Sequence, residues 1–318
     1  MSFPISFSNT VKNELARMVG GKSCCLVAEL ASLMRMGGNM VIGGNQTLGI
    51  NFTTENAAVA RKFLVLVKQR FQLKTQVVVS KGRRLKKNNS YLIKIMPTPE
   101  VMELLAQLGL MREGGIYSGQ DKAFFRKACC RKGYLRGAFL GGGSVNRPEG
   151  DYHLELVTSS EEYAKTLVGL MKYFQFPARM TDRKADFIVY LKDGDAVEAF
   201  LRLIGASEAV KTFKKVRKVK DMRNQVNRLV NCETANLQKT VDAAFRQVEF
   251  IKQIEAYQGL GSLPANLREA AEVRLNFPEA TLQELVDHLG GTVGKSGMNH
   301  RLRKLAEIAK NLPERGPL

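Results

Sequence analysis

LRGAFLGGG, from Leu135 to Gly143, and LASLMRMGG, from Leu30 to Gly38, decide how this chain is organised. Leu30 and Leu135 stand 105 residues apart, and other landmarks keep that offset: Cys24-Cys25 returns as Cys129-Cys130, Thr53 as Thr158 and Phe71 as Phe176. Self-similarity at a fixed period marks one structural unit built twice. Ala31, Ser32, Gly137 and Ala138 put small residues on both opening helices, which lets the two helices approach closely.

Working outward, the same order of elements follows each opening helix. Alternating segments at Thr47–Phe52 and Tyr152–Val157 read as strands, each leading into an amphipathic helix, Glu55–Phe71 and Glu161–Phe174. A second strand pair comes next, Thr75–Val79 with Tyr91–Ile95, then Ala178–Thr181 with Phe187–Leu191. Short helices, Pro99–Leu108 and Ala196–Ile204, close the units with Leu108 and Ile204 now 96 residues apart, so the first copy carries a longer and basic hairpin. The expected class is α+β, a duplicated αββαββα unit with a pseudo-twofold, followed by an all-α domain. The boundaries read as an N-terminal segment at 1–21, repeats at 22–110 and 121–205, a basic helical linker at 206–260 and a small helical domain at 261–318.

Forty-nine Lys+Arg against 30 Asp+Glu give a formal net charge of +19, which favours a polyanionic partner, nucleic acid before an anionic membrane. The N-terminal stretch MSFPISFSNTVKNELARM lacks a basic region followed by an apolar core, and no segment approaches roughly 18 uninterrupted apolar residues. The expectation is a cytoplasmic, nucleoid-associated protein with no membrane partner. The 5 cysteines are two adjacent pairs and a single, which fits reduced thiols. Four of them open equivalent helices, where they can meet and bind zinc. Adjacent cysteines, however, project about 100° apart on a helix, and structural zinc sites use C-x₂₋₄-C spacing. The reading adopted is packing cysteines, with no metal and no cofactor.

Beyond Gly205 the chain turns helical and basic. Lys211 to Arg228 carries Lys211, Lys214, Lys215, Arg217, Lys218, Lys220, Arg223 and Arg228 against Asp221 alone. Asn224, Asn227 and Asn231 follow at i, i+3 and i+7, which lines amides along one helical face, either to bond phosphates or bases, or to cap and brace the next helix. That next helix is expected over Thr234–Tyr257, with Leu237, Val241, Ala244, Phe245, Val248 and Ile251 on one face; at 1.5 Å per residue it spans roughly 36 Å, long enough to separate domains.

Leu263–Leu312 reads as three helices. The first follows Pro264 and stops near Phe277-Pro278. The second opens with the capping box Thr281-Leu282-Gln283-Glu284 and ends at Gly290-Gly291. The third, with Ser296 as N-cap, buries Met298, Leu302, Leu305 and Ala309, and turns Asn299, His300 and Arg303 outward beside Lys295, Ser296, Arg301 and Lys304. Helix, glycine turn, and a helix with a polar and basic leading face is a helix-turn-helix pattern, whose leading residues reach base edges. His300 reads either as a base contact or as a residue packed on Arg303. Auxiliary phosphate contacts are assigned to Lys81, Arg83, Arg84, Lys86 and Lys87 on the long hairpin, and to Lys214, Lys215, Arg217, Lys218, Arg223, Asn224, Asn227, Arg228 and Asn231.

The paired opening helices resemble the signature helices of LAGLIDADG homing endonucleases, in which the eighth position is an acidic residue holding the divalent metal that cuts DNA. Here Gly37 and Gly142 stand at that position. Among Arg35, Asn39, Ser144, Asn146, Glu149 and Asp151 no symmetric carboxylate pair is available, so nuclease chemistry has no ligands. Glu149 or Asp151 offers at most half a site. Taken with RNQVNRLVNCETAN (Arg223–Asn236) and SGMNHRLRK (Ser296–Lys304), the chain resembles the WhiA family over its whole length. That resemblance implies a DNA-binding transcriptional regulator of Gram-positive bacteria, linked to sporulation or to cell division and chromosome segregation. It further implies a σ-factor-like reading helix and no nuclease activity. The expected partners are double-stranded promoter DNA and RNA polymerase or another regulator, with one chain acting as a monomer. The competing readings are a protein-interaction scaffold and a residual metal-dependent nuclease.

Overall fold

The fold is described from a computed structural model, which covers residues 6–18, 20–44, 47–71, 73–81, 89–112, 115–117, 119 and 121–313. Its contacts divide into two compact units, Met1–Lys220 and Asp221–Leu318.

The first unit begins with a helix that sequence reading left unassigned, α1 (Phe7–Ala16), capped by Ser6. Its Ser8 hydroxyl and the Val145 backbone exchange two 2.8 Å hydrogen bonds, tying α1 to the second repeat. The first repeat then runs α2 (Ser23–Gly37), β1 (Gly38–Ile42), β2 (Leu48–Thr54), α3 (Ala57–Phe71), β3 (Thr75–Ser80), β4 (Ser90–Ile95) and α4 (Pro99–Gln107). A two-stranded hairpin, β5 (Met111–Arg112) and β6 (Gly115–Ile116), lies in the connection. The second repeat is α5 (Ala128–Gly142), β7 (Gly143–Val145), β8 (Leu154–Thr158), α6 (Glu161–Tyr173), β9 (Arg179–Arg183), β10 (Asp186–Leu191) and α7 (Gly194–Ile204).

Each repeat forms a four-stranded antiparallel sheet of the same order, β1-β2-β4-β3 and β7-β8-β10-β9. Strand alternation sends Ile50 and Phe52 of β2, and Leu154 and Leu156 of β8, into the core, where Phe52 stacks on Phe63 at 4.2 Å. The expected αββαββα duplication is the observed fold.

Helices α2 and α5 pack against each other at the centre, as their small residues predict. A Cβ added at Gly137 would lie 2.2 Å from the Glu29 carbonyl oxygen, so this position admits only glycine. Ala31, Ser32 and Ala138 are fully buried along the same contact, and the Ser32 hydroxyl meets the Tyr163 hydroxyl at 2.7 Å. Glu29, also buried, pairs with Lys62 at 3.2 Å and with Arg136 at 2.7 Å. Lys62 also donates to the Met18 carbonyl.

Residues 207–258 overturn the expectation of a break between the basic run and the following helix. They form one 52-residue helix, α8 (Ser207–Gln258). No glycine or proline lies within it to stop propagation, so Asn231 and Thr234 sit mid-helix and cap nothing. Ala209, Val210 and Phe213 belong to the core of the first unit, and Ile251 and Ile254 to the core of the second. The apolar face read from the sequence is covered only in part: Ala244 and Ile251 are buried, whereas Leu237 and Phe245 are 66% and 63% exposed.

In the second unit, α9 (Ala265–Asn276), α10 (Leu282–His288) and α11 (Lys295–Lys310) surround Leu267, Ala270, Leu285, Met298, Leu302 and Leu305. The Thr281–Glu284 capping box is present in full. Gly290 and Gly291 both adopt left-handed backbone, with φ of 66° and 70°, which turns the chain between α10 and α11.

Candidate nucleic-acid interface

The helix-turn-helix is assembled from local signals. Arg274, 2% exposed, holds the α9–α10 turn by donating to the carbonyls of Phe277, Pro278 and Ala280, the last at 2.6 Å. His288 stacks on Phe277 with ring centroids 3.7 Å apart. Helix α11 then buries Met298, Leu302, Leu305 and Ala309, the four positions its 3.6-residue period predicts.

The opposite face carries the predicted readers. Lys295, Ser296, Asn299, His300, Arg303 and Lys304 are all exposed. Two expectations need correction. The N-cap of α11 is Gly294, with no side-chain cap bond, so Ser296 lies inside the first turn. Arg301 is half-buried and faces Glu269 of α9 at 3.5 Å, because position 301 falls at the edge of the apolar stripe. The uncapped first turn of α11 leaves leading amides directed outward beside Lys295, a setting suited to a phosphate oxygen.

The basic run on α8 is partly committed to its own unit. Lys214 lies 3.5 Å from Glu198, Arg217 pairs with Asp195, and Lys220 donates to the Gly150 carbonyl at 2.7 Å. Arg217 also lies over the Tyr152 ring. Lys215, Lys218, Arg223, Asn224, Asn227, Arg228 and Asn231 are exposed. On the long hairpin, Lys81 is exposed, while Arg83, Arg84, Lys86 and Lys87 lie outside the described residues.

At the ends of the signature helices, the two glycines do more than withhold a carboxylate. A Cβ at Gly37 would meet the Phe52 ring at 2.9 Å and the Thr53 carbonyl at 3.1 Å; one at Gly142 would meet Met36 Cε at 2.5 Å and the Val157 carbonyl at 2.6 Å. The acid positions are occupied by packed neighbours. Arg35 donates to the Gly109 and Gly119 carbonyls at 3.0 and 2.6 Å. Glu149 and Asp151 are exposed in the β7–β8 turn, and Glu155 accepts from Ser144 at 3.0 Å. Next to Gly141 lies a cavity of about 730 Å³ lined by Asn9, Lys12, Thr53, Glu55 and Tyr91. Burial pulls the Lys12 ammonium down to about 8, with Glu55 opposing the shift. One carboxylate facing one ammonium makes no two-metal site.

The cysteines depart from expectation most. The sulfurs of Cys24, Cys25, Cys129 and Cys130 all lie within 4.8 Å of one another. Helices α2 and α5 bring their first turns so close together that both adjacent pairs gather into one cluster, sequence neighbours included. A Cβ at Gly133 would sit 2.8 Å from the Cys25 carbonyl, which shows how near the backbones come. Burial pushes the Cys25 thiol up to about 11 and the Cys130 thiol up to about 12, while a hydrogen bond from Cys25 holds Cys129 below its usual value.

Sequence reasoning also missed Glu29, Lys62 and Arg136. An acid inside the apolar run LVAELASLM was the available signal, since a carboxylate on a buried face needs a cation.

Residues 23–111 match the WhiA N-terminal LAGLIDADG-like domain, 131–223 the WhiA LAGLIDADG-like domain, and 226–309 the WhiA C-terminal HTH domain. The chain belongs to the WhiA family. Within the family it is 49% identical to a "Probable cell division protein WhiA" of Desulforamulus reducens, over 97% of this chain and 96% of that one. The Heliobacterium modesticaldum protein of the same name is 48% identical, over 98% of each. Among solved structures, full-length DUF199/WhiA from "Thermatoga maritima" superposes with a TM-score of 0.60 at 24% identity, covering 98% of this chain and 100% of that one, a likeness of fold. No helix among the described residues is long and apolar enough to cross a membrane.

Proposed function

We propose that this protein is a sequence-specific, double-stranded DNA-binding transcriptional regulator in which the duplicated repeat is a non-catalytic platform. The observation that carries the proposal is α11, whose leading face exposes Lys295, Ser296, Asn299, His300, Arg303 and Lys304 while its other face closes a well-packed core. Such a helix fits the major groove, with Asn299 and Arg303 able to make paired hydrogen bonds to adenine and guanine edges. Lys295 and the leading amides hold phosphate. Arg301, tied to Glu269, orients the helix more than it reads sequence.

The relatives' name supports a place in cell division, and the family resemblance adds control of sporulation or chromosome segregation genes from a nucleoid-associated, cytoplasmic position. Because the repeat is a pseudo-dimer within one chain, the assembly proposed is a monomer with one reading head, and the target site is then not palindromic. Selection of bound sequences from random double-stranded DNA, with the parent and with Asn299→Ala and Arg303→Ala, tests the reading. Each substitution is expected to cost about 1–3 kcal/mol of specific binding and to relax base preference at one position. Unchanged affinity and preference in both variants overturn it.

A second reading rests on the closed acid positions at Gly37 and Gly142: the repeat serves as a docking platform for RNA polymerase or another regulator. In that case the Arg303→Ala chain still recovers its protein partner after losing DNA.

A further inference from the structure

The four-thiol cluster lies at the N-terminal ends of α2 and α5, the opposite ends of those helices from Gly37 and Gly142. The reading of α11 makes no use of it. Its internal contacts follow the repeat. Cys24 reaches Cys130 and Cys25 reaches Cys129, two contacts that exchange under the 105-residue correspondence, and each pair is closed by its own neighbour on the helix. The result is a four-cornered arrangement with two corners from each repeat, and it includes neither the exposed Cys232 nor any histidine.

Size and charge then narrow what such an arrangement holds. A zinc ion with sulfur ligands at about 2.3 Å in tetrahedral geometry sets neighbouring sulfurs about 3.8 Å apart. The observed separations, none above 4.8 Å, need a contraction of no more than about 1 Å, within reach of χ1 adjustments. A multi-iron cluster interposes its own metal and sulfide atoms and holds its thiolates further apart. Harder cations such as Mg²⁺ and Ca²⁺ take oxygen ligands, which the cluster lacks. Four thiolates with one divalent ion leave two negative charges. These lie at the positive N-terminal ends of α2 and α5, whose N-cap residues are Lys22 and Lys127. Cys130 is buried and the other three are half-buried, so a small ion has access while the sulfurs remain largely shielded.

We infer that Cys24, Cys25, Cys129 and Cys130 form a structural Zn²⁺ site that staples the two repeats together across their pseudo-twofold. Four protein ligands close the coordination sphere, so the ion holds structure and activates no water. Binding releases the thiol protons to solvent, one for each coordinated thiol that was protonated, with no change of oxidation state.

The test uses the full-length chain purified under reducing conditions without chelator. Elemental analysis is expected to find one zinc per chain, and Co²⁺ exchange to give the visible bands and thiolate charge transfer of a tetrahedral four-sulfur site. Cys24→Ser and Cys129→Ser are expected to lose the metal and Cys232→Ser to keep it. The cobalt spectrum of the unmutated chain stands even where a serine variant fails to fold. Fully reduced protein that takes up neither ion overturns the inference. So does iron with inorganic sulfide, a disulfide within the cluster of the freshly reduced protein, or equal metal retention in Cys24→Ser and Cys232→Ser.

Discussion

Glu29 is the counter-charge on which two cations of the repeat core depend, and that makes an asymmetric prediction. The group Lys62–Glu29–Arg136 carries a net charge of +1, with Glu29 fully buried and Lys62 1% exposed. Glu29→Gln keeps the shape and leaves two cations with no anion. Lys62→Met leaves Glu29 with Arg136, whose Nη2 and Nε donate at 2.7 and 3.0 Å, in balance. Removing the partner of a buried charge costs about 3–5 kcal/mol, whereas replacement that leaves the remaining charges paired costs far less. Glu29→Gln is therefore expected to lower the unfolding free energy of the first unit by about 3–5 kcal/mol. Lys62→Met is expected to cost less than about 1.5 kcal/mol, the worth of its hydrogen bond to Met18, offset by relief from burying an ammonium. Urea unfolding of the full chain, followed by tyrosine near-ultraviolet circular dichroism, isolates the unit, since 7 of the 8 tyrosines lie within Met1–Lys220 and the chain has no tryptophan.

The same charges set a pH signature. Burial holds Lys62 below its ordinary 10.5, and Glu29 is the principal influence opposing that shift. The folded state then binds fewer protons than the unfolded one below 10.5, so the stability penalty is absent above that pH and grows as pH falls towards the folded pKa. Without Glu29 the window extends lower, and Glu29→Gln is expected to recover more stability than the parent between neutral and alkaline pH. A Lys62→Met loss as large as that of Glu29→Gln, or a gap between Glu29→Gln and the parent that does not narrow with pH, refutes the assignment.

Restoring an acid at the signature position is expected to fail: Gly142→Asp places its Cβ 2.6 Å from the Val157 carbonyl, costs about 1–3 kcal/mol by overpacking, and yields no nicking of supercoiled plasmid in Mg²⁺ or Mn²⁺. Arg274→Leu removes the donor to three turn carbonyls and is expected to destabilise the second unit by about 2–3 kcal/mol in thermal unfolding, weakening DNA binding without touching DNA. Lys215→Ala and Lys218→Ala, both at exposed positions, are each expected to reduce the slope of log affinity against log salt by about 1, with base preference unchanged in a titration series.

Much of this protein was legible in the chain because its signals are local or repeated. The 105-residue echo fixed a duplicated αββαββα unit, strand alternation placed Ile50, Phe52, Leu154 and Leu156 inside, and the capping box with Gly290-Gly291 bounded α10. The face of α11 followed from a 3.6-residue period, which needs only the helix itself. Even the unbroken α8 was available, in the absence of glycine and proline across 207–258. What tertiary structure alone decided is what meets across elements. Periodicity marked an apolar face on α8 but not what covers it, and Leu237 and Phe245 are exposed. Angular spacing on one helix said adjacent cysteines diverge, yet where two helices cross at glycine contact distance all four sulfurs gather in one cluster. Glu29 found its cations on α3 and α5, residues 33 and 107 positions away, by the same close approach. Sequence spacing controls neighbours along one helix, whereas charge pairing and metal-ligand geometry depend on distances between elements, which only packing sets.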